Sequence, residues 1–424
     1  MALNSDGAGV IHSGKTAFVP GSLPGELVRF VRVRSSRSYD DAELIDVRVA
    51  AANRVTPRCA HFGICGGCSL QHLQAAAQLA SKQLELGDAL QRIGGVAPQR
   101  WLAPLAGPIW NYRRRARLGV RFVTKKARVL VGFRERLKPY IAEMQRCEIL
   151  AAPLDGLIEP LAELIGCLSR PTDLPQIEVA VAQEAVALVL RIMSPLSEAD
   201  VELLRGFERK HALHFYTQTG NYTTVRPLSE PAPRLHYSLP DFSIELDFQP
   251  TDFIQVNAAL NRSLVARAVE LLELDAASRV LDLFCGLGNF TLAMARRAGE
   301  VVGVEGDAGL VERARANARR NGLDNASFHV ANLAEERAEM PPWLARPFSH
   351  VLLDPPRAGA KEMLPLLAEL APGRLLYVSC HPGTLARDVG ILVAQYAYKL
   401  VAAGVVDMFP HTTHVESIAL LEPA

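Results

Sequence analysis

From Arg279 to Ser379 the chain alternates short apolar runs with amphipathic stretches, and this alternation restricts the fold more than any other feature. Strands are expected at Arg279–Phe284, Glu300–Glu305, Ala326–Val330, His350–Asp354 and Arg374–Ser379, with helices at Asn289–Ala298, Ala308–Asn321 and Lys361–Leu370. Apolar runs of this length suit strands buried on both faces, and interleaved helices supply the crossovers that a parallel sheet needs. A mostly parallel α/β sheet with helices on both faces follows, closed by a strand pair at the C-terminus.

The run Asp282-Leu-Phe-Cys-Gly286-Leu-Gly288-Asn289 leaves the first of these strands and opens a helix. Glycines there allow a tight turn and close approach of backbone to a ligand. A lone Gly-x-Gly also occurs in dinucleotide enzymes and in plain turns. Two details favour S-adenosylmethionine. Asp282 precedes the glycines and can take the ammonium side of the amino acid, and Glu305 ends the next strand, where it can accept both ribose hydroxyls. Phe290 and Thr291 stand where a dinucleotide motif would carry its third glycine. Cys285 reads as packing.

Three further segments fall at strand ends. Asp354-Pro-Pro-Arg-Ala-Gly359 follows the fourth strand, Cys380-His381-Pro382 follows the fifth, and Phe409-Pro-His-Thr-Thr-His-Val-Glu416-Ser precedes the last. A thiol beside a methyl-donor pocket suggests methylation of a pyrimidine at C5. Uracil C5 is a poor nucleophile until a thiolate adds to C6, after which a base must remove the C5 proton so that the thiol can leave. Cys380 is the expected nucleophile and Glu416 the base. Asp354 is a rival base, assigned here to holding the pyrimidine edge. Cytosine-directed enzymes of this chemistry carry Pro-Cys in the fourth-strand motif; Pro355-Pro356 favours uracil.

Upstream, residues 1–53 alternate as a small β-barrel, 54–250 form a central domain, and 251–424 form the catalytic domain. The chain is 49% hydrophobic and 21% charged, as expected of a globular protein, and its net charge of +1 names no partner. The distribution of charge is more telling. Arg113 to Lys138 holds eleven Lys or Arg and one acid, Glu135. With its strand-like apolar punctuation it reads as a rigid basic surface for a phosphate backbone, the alternative being an ordinary solvated face. Cys59, Cys65 and Cys68, with Cys147 beyond, offer four soft ligands that suit either zinc or an iron–sulfur cluster. Cys167 reads as packing, and His61 and His72 as neighbours of the knuckle. No apolar run reaches membrane-spanning length and the start lacks a signal-peptide pattern, so a cytoplasmic protein with no membrane partner is expected.

On the glycine motif, Glu305, Asp354-Pro-Pro-Arg-Ala-Gly359, Ser379-Cys380-His-Pro-Gly-Thr-Leu-Ala-Arg-Asp388 and Phe-Pro-His-Thr-Thr-His-Val-Glu416-Ser, nearly the whole chain resembles the bacterial RNA uracil-5-methyltransferase family. The resemblance implies a multidomain architecture: an OB-like TRAM barrel, a central α+β domain with a [4Fe-4S] cluster on Cys59, Cys65, Cys68 and Cys147, and a Rossmann-like methyltransferase domain. It implies that Phe253 and Gln255 line the pocket and that Gln255, Phe284, Asn289 and Asn332 touch the methyl donor. Arg113, Arg114, Arg115, Arg117, Arg121 and Lys125 become the expected RNA contacts, the helix within about 73–109 is expected to pack on the catalytic domain, and the protein is expected to be a monomer. Barrel, cluster and catalytic domain together point to uridine 1939 of 23S rRNA, because the tRNA uridine-54 enzyme is expected to lack cluster and barrel and the uridine-747 enzyme to lack the barrel. Two departures stand out. His381 replaces the family's usual Asn, and the barrel looks short of its first strand.

Overall fold

The computed structural model describes residues 2–333 and 341–424. β1 (Ala2–Leu3), β2 (Ala8–Ser13), β3 (Lys15–Pro20), β4 (Leu27–Ser35) and β5 (Tyr39–Val49) form one sheet in the order β1-β2-β3-β5-β4 around a small core of Ala17, Val19 and Ala42. Where the sequence suggests an absent first strand, Ala2 and Leu3 pair with Val10 and Gly9. α1 (Ala75–Ala89) and β6 (Arg100–Trp101) follow.

The central domain comprises β7 (Arg115–Val123), β8 (Arg128–Gly132), α2 (Ile158–Gly166), β9 (Gln176–Val181), β10 (Val186–Arg191), α3 (Glu198–His211), β11 (His214–Gln218) and β12 (Arg226–Pro227). Its sheet runs β12-β11-β10-β9-β7-β8. The hairpin β13 (His236–Leu239) and β14 (Ile244–Asp247) leads to α4 (Ala258–Leu272) of the catalytic domain, capped by Asn257, whose side chain accepts from the Leu260 N–H.

The catalytic domain continues with β15 (Arg279–Leu283), α5 (Thr291–Ala295), β16 (Glu300–Glu305), α6 (Ala308–Arg320), β17 (Ala326–Val330), β18 (His350–Leu353), α7 (Leu364–Leu370), β19 (Arg374–Ser379), α8 (Pro382–Gln395), β20 (Tyr398–Val406) and β21 (Glu416–Pro423). The sheet order is β17-β16-β15-β18-β19-β21-β20-β6 among the described residues. It is parallel from β17 to β19, and β21 is inserted antiparallel between β19 and β20. The expected α/β alternation is therefore present, with two differences. α5 is shorter than the sequence pattern suggests, and α8 lies where only a closing strand pair is expected. Pro382 and Gly383 resemble a turn, yet proline at the first helical position costs no hydrogen bond, and buried Leu385, Ala386, Val389 and Leu392 give the helical spacing.

α1 belongs physically to the catalytic domain. Leu86, and Leu90 just beyond the helix, share a core with Leu281, Leu353, Leu385 and Val389, and β6 pairs with Ala402 and Ala403 of β20. Among the described residues no helix is long and apolar enough to cross a membrane.

Candidate active site and cysteine centre

The topology explains why residues far apart in sequence meet. Ser379, last in β19, pairs with Ser417 in β21, and the Ser417 hydroxyl donates to the Ser379 carbonyl at 3.1 Å. Cys380 and Glu416 are thus the next residues outward on adjacent antiparallel strands. Leu353 pairs with both Leu283 and Tyr377, so Asp354 emerges between Phe284 and the end of β19. Asp354, Cys380 and Glu416 accordingly share one rim, at the carboxyl ends of the parallel strands.

The electrostatics reflect this crowding. Burial, reinforced by Asp354, pushes Glu416 well above the usual carboxylate range. Burial raises Asp354 to about 7. The Cys380 thiol is also raised, first by burial and then by the Glu416 and Asp354 carboxylates, while Arg357 acts in the opposite direction. Arg357 is thus a cation beside the thiol that the sequence reading passed over, although it stands inside the Asp-Pro-Pro-Arg motif. Its guanidinium also meets His414 Nδ1 at 2.9 Å.

α8 fixes this rim from behind. Asp388 is fully buried and accepts from the Tyr377 hydroxyl (2.7 Å) and the Ala360 N–H (2.9 Å), while Arg387 donates to the Ala358 carbonyl (2.9 Å). The loop that begins at Asp354 is therefore tied to the helix after the nucleophile. His381 caps that helix, its Nδ1 accepting from the Thr384 N–H at 3.2 Å, so the imidazole performs a capping task that asparagine could also perform.

The donor cradle lies along β15 and β16. Phe284 has φ of 65°, a left-handed conformation unusual for a bulky residue, and Gly286 and Gly288 follow at 56° and 94°. Glu305 Oε2 accepts from the Gly286 N–H (3.1 Å), and Oε1 accepts from Gly306 (2.7 Å) and Asp307 (3.0 Å). Asp282 is fully buried; one oxygen accepts from the Thr291 hydroxyl and Oδ1 has no partner. An orphaned buried carboxylate oxygen beside a glycine turn fits an ammonium, so these residues fit S-adenosylmethionine.

The remaining residues expected at the donor and substrate pockets have other partners and surroundings. The Asn289 amide makes a reciprocal pair with Asn261 (2.9 Å each way) and accepts from the Tyr237 hydroxyl (2.9 Å), so it braces the turn. Gln255 is buried, and its carbonyl accepts from Arg114 Nε at 2.8 Å. Phe253 is 69% exposed and edges a cleft of about 830 Å³, shared with Tyr222, Asp307 and Arg313. Asn332 is exposed after β17.

Cys59, Cys65, Cys68 and Cys147 line one small cavity together with Gly67, Phe133 and Met144. The sequence leaves the group they hold open, and among the described residues no three His, Cys, Asp or Glu side chains gather around a single-ion position. The donor set itself fits a cationic cluster. The Gly67 N–H points at Cys65 Sγ (3.4 Å), and burial, then mutual repulsion between the sulfurs, raises Cys68 to about 12, a cost that a cation among them would remove. His72 is buried with neither ring nitrogen bonded, and His61 Nε2 accepts from the Gln145 N–H (3.4 Å). Cys167, expected to pack, is exposed at the end of α2.

The basic block is not one surface. Arg117, Arg121 and Lys125 are exposed, and Arg113 is half-buried. Arg114 is 5% exposed and stacks on Tyr237 at 4.5 Å, and Arg115 donates to the Pro250 carbonyl and pairs with Glu178. Arg114 is in phase with the inward residues Ala116 and Leu118, whereas Arg115 lies on the outer face with Arg117 and shares its partner Glu178; both are engaged by the chain itself where a row of free RNA-facing cations is expected.

A cysteine and a carboxylate facing each other across a strand pair, beside a Rossmann-like donor cradle, define a methyltransferase that works through a covalent pyrimidine adduct. Residues 274–341 match the model of a methyltransferase domain, and 344–424 match tRNA (Uracil-5-)-methyltransferase. The chain is 51% identical to the 23S rRNA (uracil(1939)-C(5))-methyltransferase RlmD of Alkalilimnicola ehrlichii, with 99% of this chain and 95% of that protein covered. It is 50% identical to the RlmD of Cupriavidus necator over 99% of this chain and 96% of that one. The chain belongs to the 23S rRNA (uracil(1939)-C(5))-methyltransferase family. The crystal structure of Pyrococcus abyssi tRNA (uracil-54, C5)-methyltransferase with S-adenosyl-L-homocysteine superposes with a TM-score of 0.74 at 26% identity, covering 99% of this chain and 98% of that one. That full-length match corrects one expectation: a tRNA uridine-54 enzyme can span the entire architecture, so the layout of domains does not separate the two RNA classes.

Proposed function

We propose that this chain methylates C5 of uridine 1939 in 23S rRNA, acting in the cytoplasm. The observation that carries the chemistry is the Ser379–Ser417 pairing, which brings Cys380 and Glu416 to one rim. The choice of target rests on the high identity to the 23S rRNA enzymes.

S-adenosylmethionine, when bound, supplies an electrophilic methyl group to the activated C5; Asp282, Glu305, Gln255 and the Phe284–Gly288 turn would hold it. Cys380 Sγ, once its proton has left, adds to C6 of the uracil, and the ring electrons move to C5 and the neighbouring carbonyl. Asp354 holds the pyrimidine edge. Ionised Glu416 removes the C5 proton after methylation, and the released electron pair re-forms the C5–C6 double bond and expels Cys380 Sγ. The four cysteines of the central domain would hold an iron–sulfur cluster that folds this region and shapes the RNA surface. Arg117, Arg121 and Lys125 supply exposed charge for phosphates.

The test is methyl transfer from labelled S-adenosylmethionine to unmodified 23S rRNA and to tRNA, with the modified nucleotide mapped. 5-Methyluridine at 1939 is expected. Label at 747 or in tRNA would overturn the target, and no label from folded, cluster-loaded protein would overturn the activity.

A further inference from the structure

The loop between β20 and β21 carries Glu416 at its far end, and one residue within it is both strained and heavily held. His411 has φ of 67°, a left-handed conformation that a non-glycine residue keeps only where its surroundings over-determine it. Here they do. Its N–H donates to Gln78 Oε1 (2.8 Å), and its carbonyl accepts from both the Ser69 and Leu70 N–H groups (2.9 Å each). Its ring packs against Trp110, tilted by 30° with centroids 4.0 Å apart.

The residues that grip His411 come from a single place. Ser69 and Leu70 follow Cys68 directly, and Gln78 lies on α1, just beyond them. Gln78 is 1% exposed, and its Nε2 donates to the carbonyls of Leu70 (3.0 Å) and Leu73 (2.7 Å). One buried amide thus ties the turn after the cysteine knuckle to the turn before the base. Lys82, one helical turn further along α1, is also buried; it pairs with Asp407 at 2.6 Å and donates to the Phe409 carbonyl at 2.9 Å. Tyr112 adds a hydrogen bond to the Pro410 carbonyl (3.1 Å). The Ser69, Leu70 and Tyr112 contacts reach the loop that ends at Glu416 directly from the cysteine-bearing half of the protein, and Gln78 and Lys82 of α1 bridge to the same loop.

We infer that Gln78 and the His411 turn form a latch through which the cysteine centre positions Glu416. Gln78 is a positioning residue in this scheme and touches neither uracil nor donor. The inference rests on the covalent mechanism above, in which formation of the adduct needs Cys380 and its resolution needs Glu416. A loosened latch therefore slows resolution, not formation. Loss of the cluster, by freeing the Cys68–Leu70 segment, would act on the same step.

The experiment uses full-length, cluster-loaded Gln78→Met, with Glu416→Gln as reference. Three quantities are read: iron per chain, amide exchange of residues 407–416, and RNA–protein adduct surviving denaturing electrophoresis. Expected are unchanged iron and RNA affinity, exchange at least about tenfold faster in 407–416, and trapped adduct raised about tenfold over the unaltered enzyme. Unaltered exchange, or faster exchange without extra adduct, overturns the latch while Glu416→Gln still traps RNA. If Glu416→Gln traps none, the covalent reading itself fails. Should Gln78→Met not fold, His411→Ala reads the same three quantities, and His411→Gly, which tolerates positive φ, should recover the slow exchange.

Discussion

Asp282→Asn should stabilise the ligand-free protein and cripple donor binding, and both effects can be sized. Burial above all, with Asp354 and Glu305 adding repulsion, raises Asp282 from 3.8 to about 7. At about 1.4 kcal/mol per pH unit, that displacement corresponds to about 4 kcal/mol. The direction follows from proton binding. Between the unfolded and folded values the native state holds the proton more tightly, so this residue's contribution to stability is present at low pH. It is lost as pH climbs toward 7 and stays lost above it. Asparagine has nothing to ionise and escapes the loss. The variant should therefore match the parent near pH 4 and exceed it by roughly 2–4 kcal/mol near pH 8, as cluster-loaded protein in urea.

The same change removes the carboxylate oxygen left without a partner. A hydrogen bond to a charged group contributes about 1.5–3 kcal/mol, so S-adenosylhomocysteine, which keeps the ammonium, should bind roughly 10- to 150-fold more weakly. Calorimetric titration with that ligand measures the second effect, and urea midpoints across the pH series measure the first. Equal midpoints near pH 8, or unchanged affinity, would refute the reasoning, because each requires Asp282 to be satisfied by something other than the donor.

Cys380→Ala should abolish turnover by at least about a thousandfold while RNA binding by filter assay persists, since the thiol makes the reaction possible and lies apart from the exposed cations. The value of kcat/KM should rise with pH from neutrality upward: Cys380 and Glu416 must both be deprotonated during the cycle and both are raised, so a profile falling over that range would contradict their roles. Cys59→Ser should lower iron content and solubility; normal iron by chemical assay would remove Cys59 from the ligand set. Lys82→Met should cost about 3–5 kcal/mol in urea unfolding, because it strands buried Asp407, and pairing it with Asp407→Asn should recover most of the loss.

The parts of the fold and site that the sequence revealed are those where local pattern and final environment coincide. β16 and β19 agree with the apolar runs end to end, because strands buried on both faces leave a continuous signature. Cys380, Glu416 and Asp354 were legible because each stands immediately outside such a run. α8 was obscured by Pro382 and Gly383, and with it went Asp388, the residue that ties the Asp354 loop down. Arg114 and Arg115 show the opposite failure. Counting charge along β7 marks them as surface, yet alternation turns Arg114 inward, where a carbonyl and an aromatic ring hold it, and Arg115, on the outer face, is taken up by the Pro250 carbonyl and Glu178.

The contacts least visible in sequence are those that integrate the domains. Gln78 and His411 are 333 positions apart, and nothing in either neighbourhood announces the other. A glutamine in a mildly amphipathic helix reads as solvent-facing, and a histidine in a histidine-rich turn reads as a candidate for chemistry. In the fold both are buried, and burial pushes His411 down to about 4, so it is neutral at physiological pH and suited to packing on Trp110. Chemistry at the site can be inferred from residue types at strand ends. The grip that holds the base in place depends on which buried amides find one another across domains, and that is decided only when the central and catalytic domains close around α1.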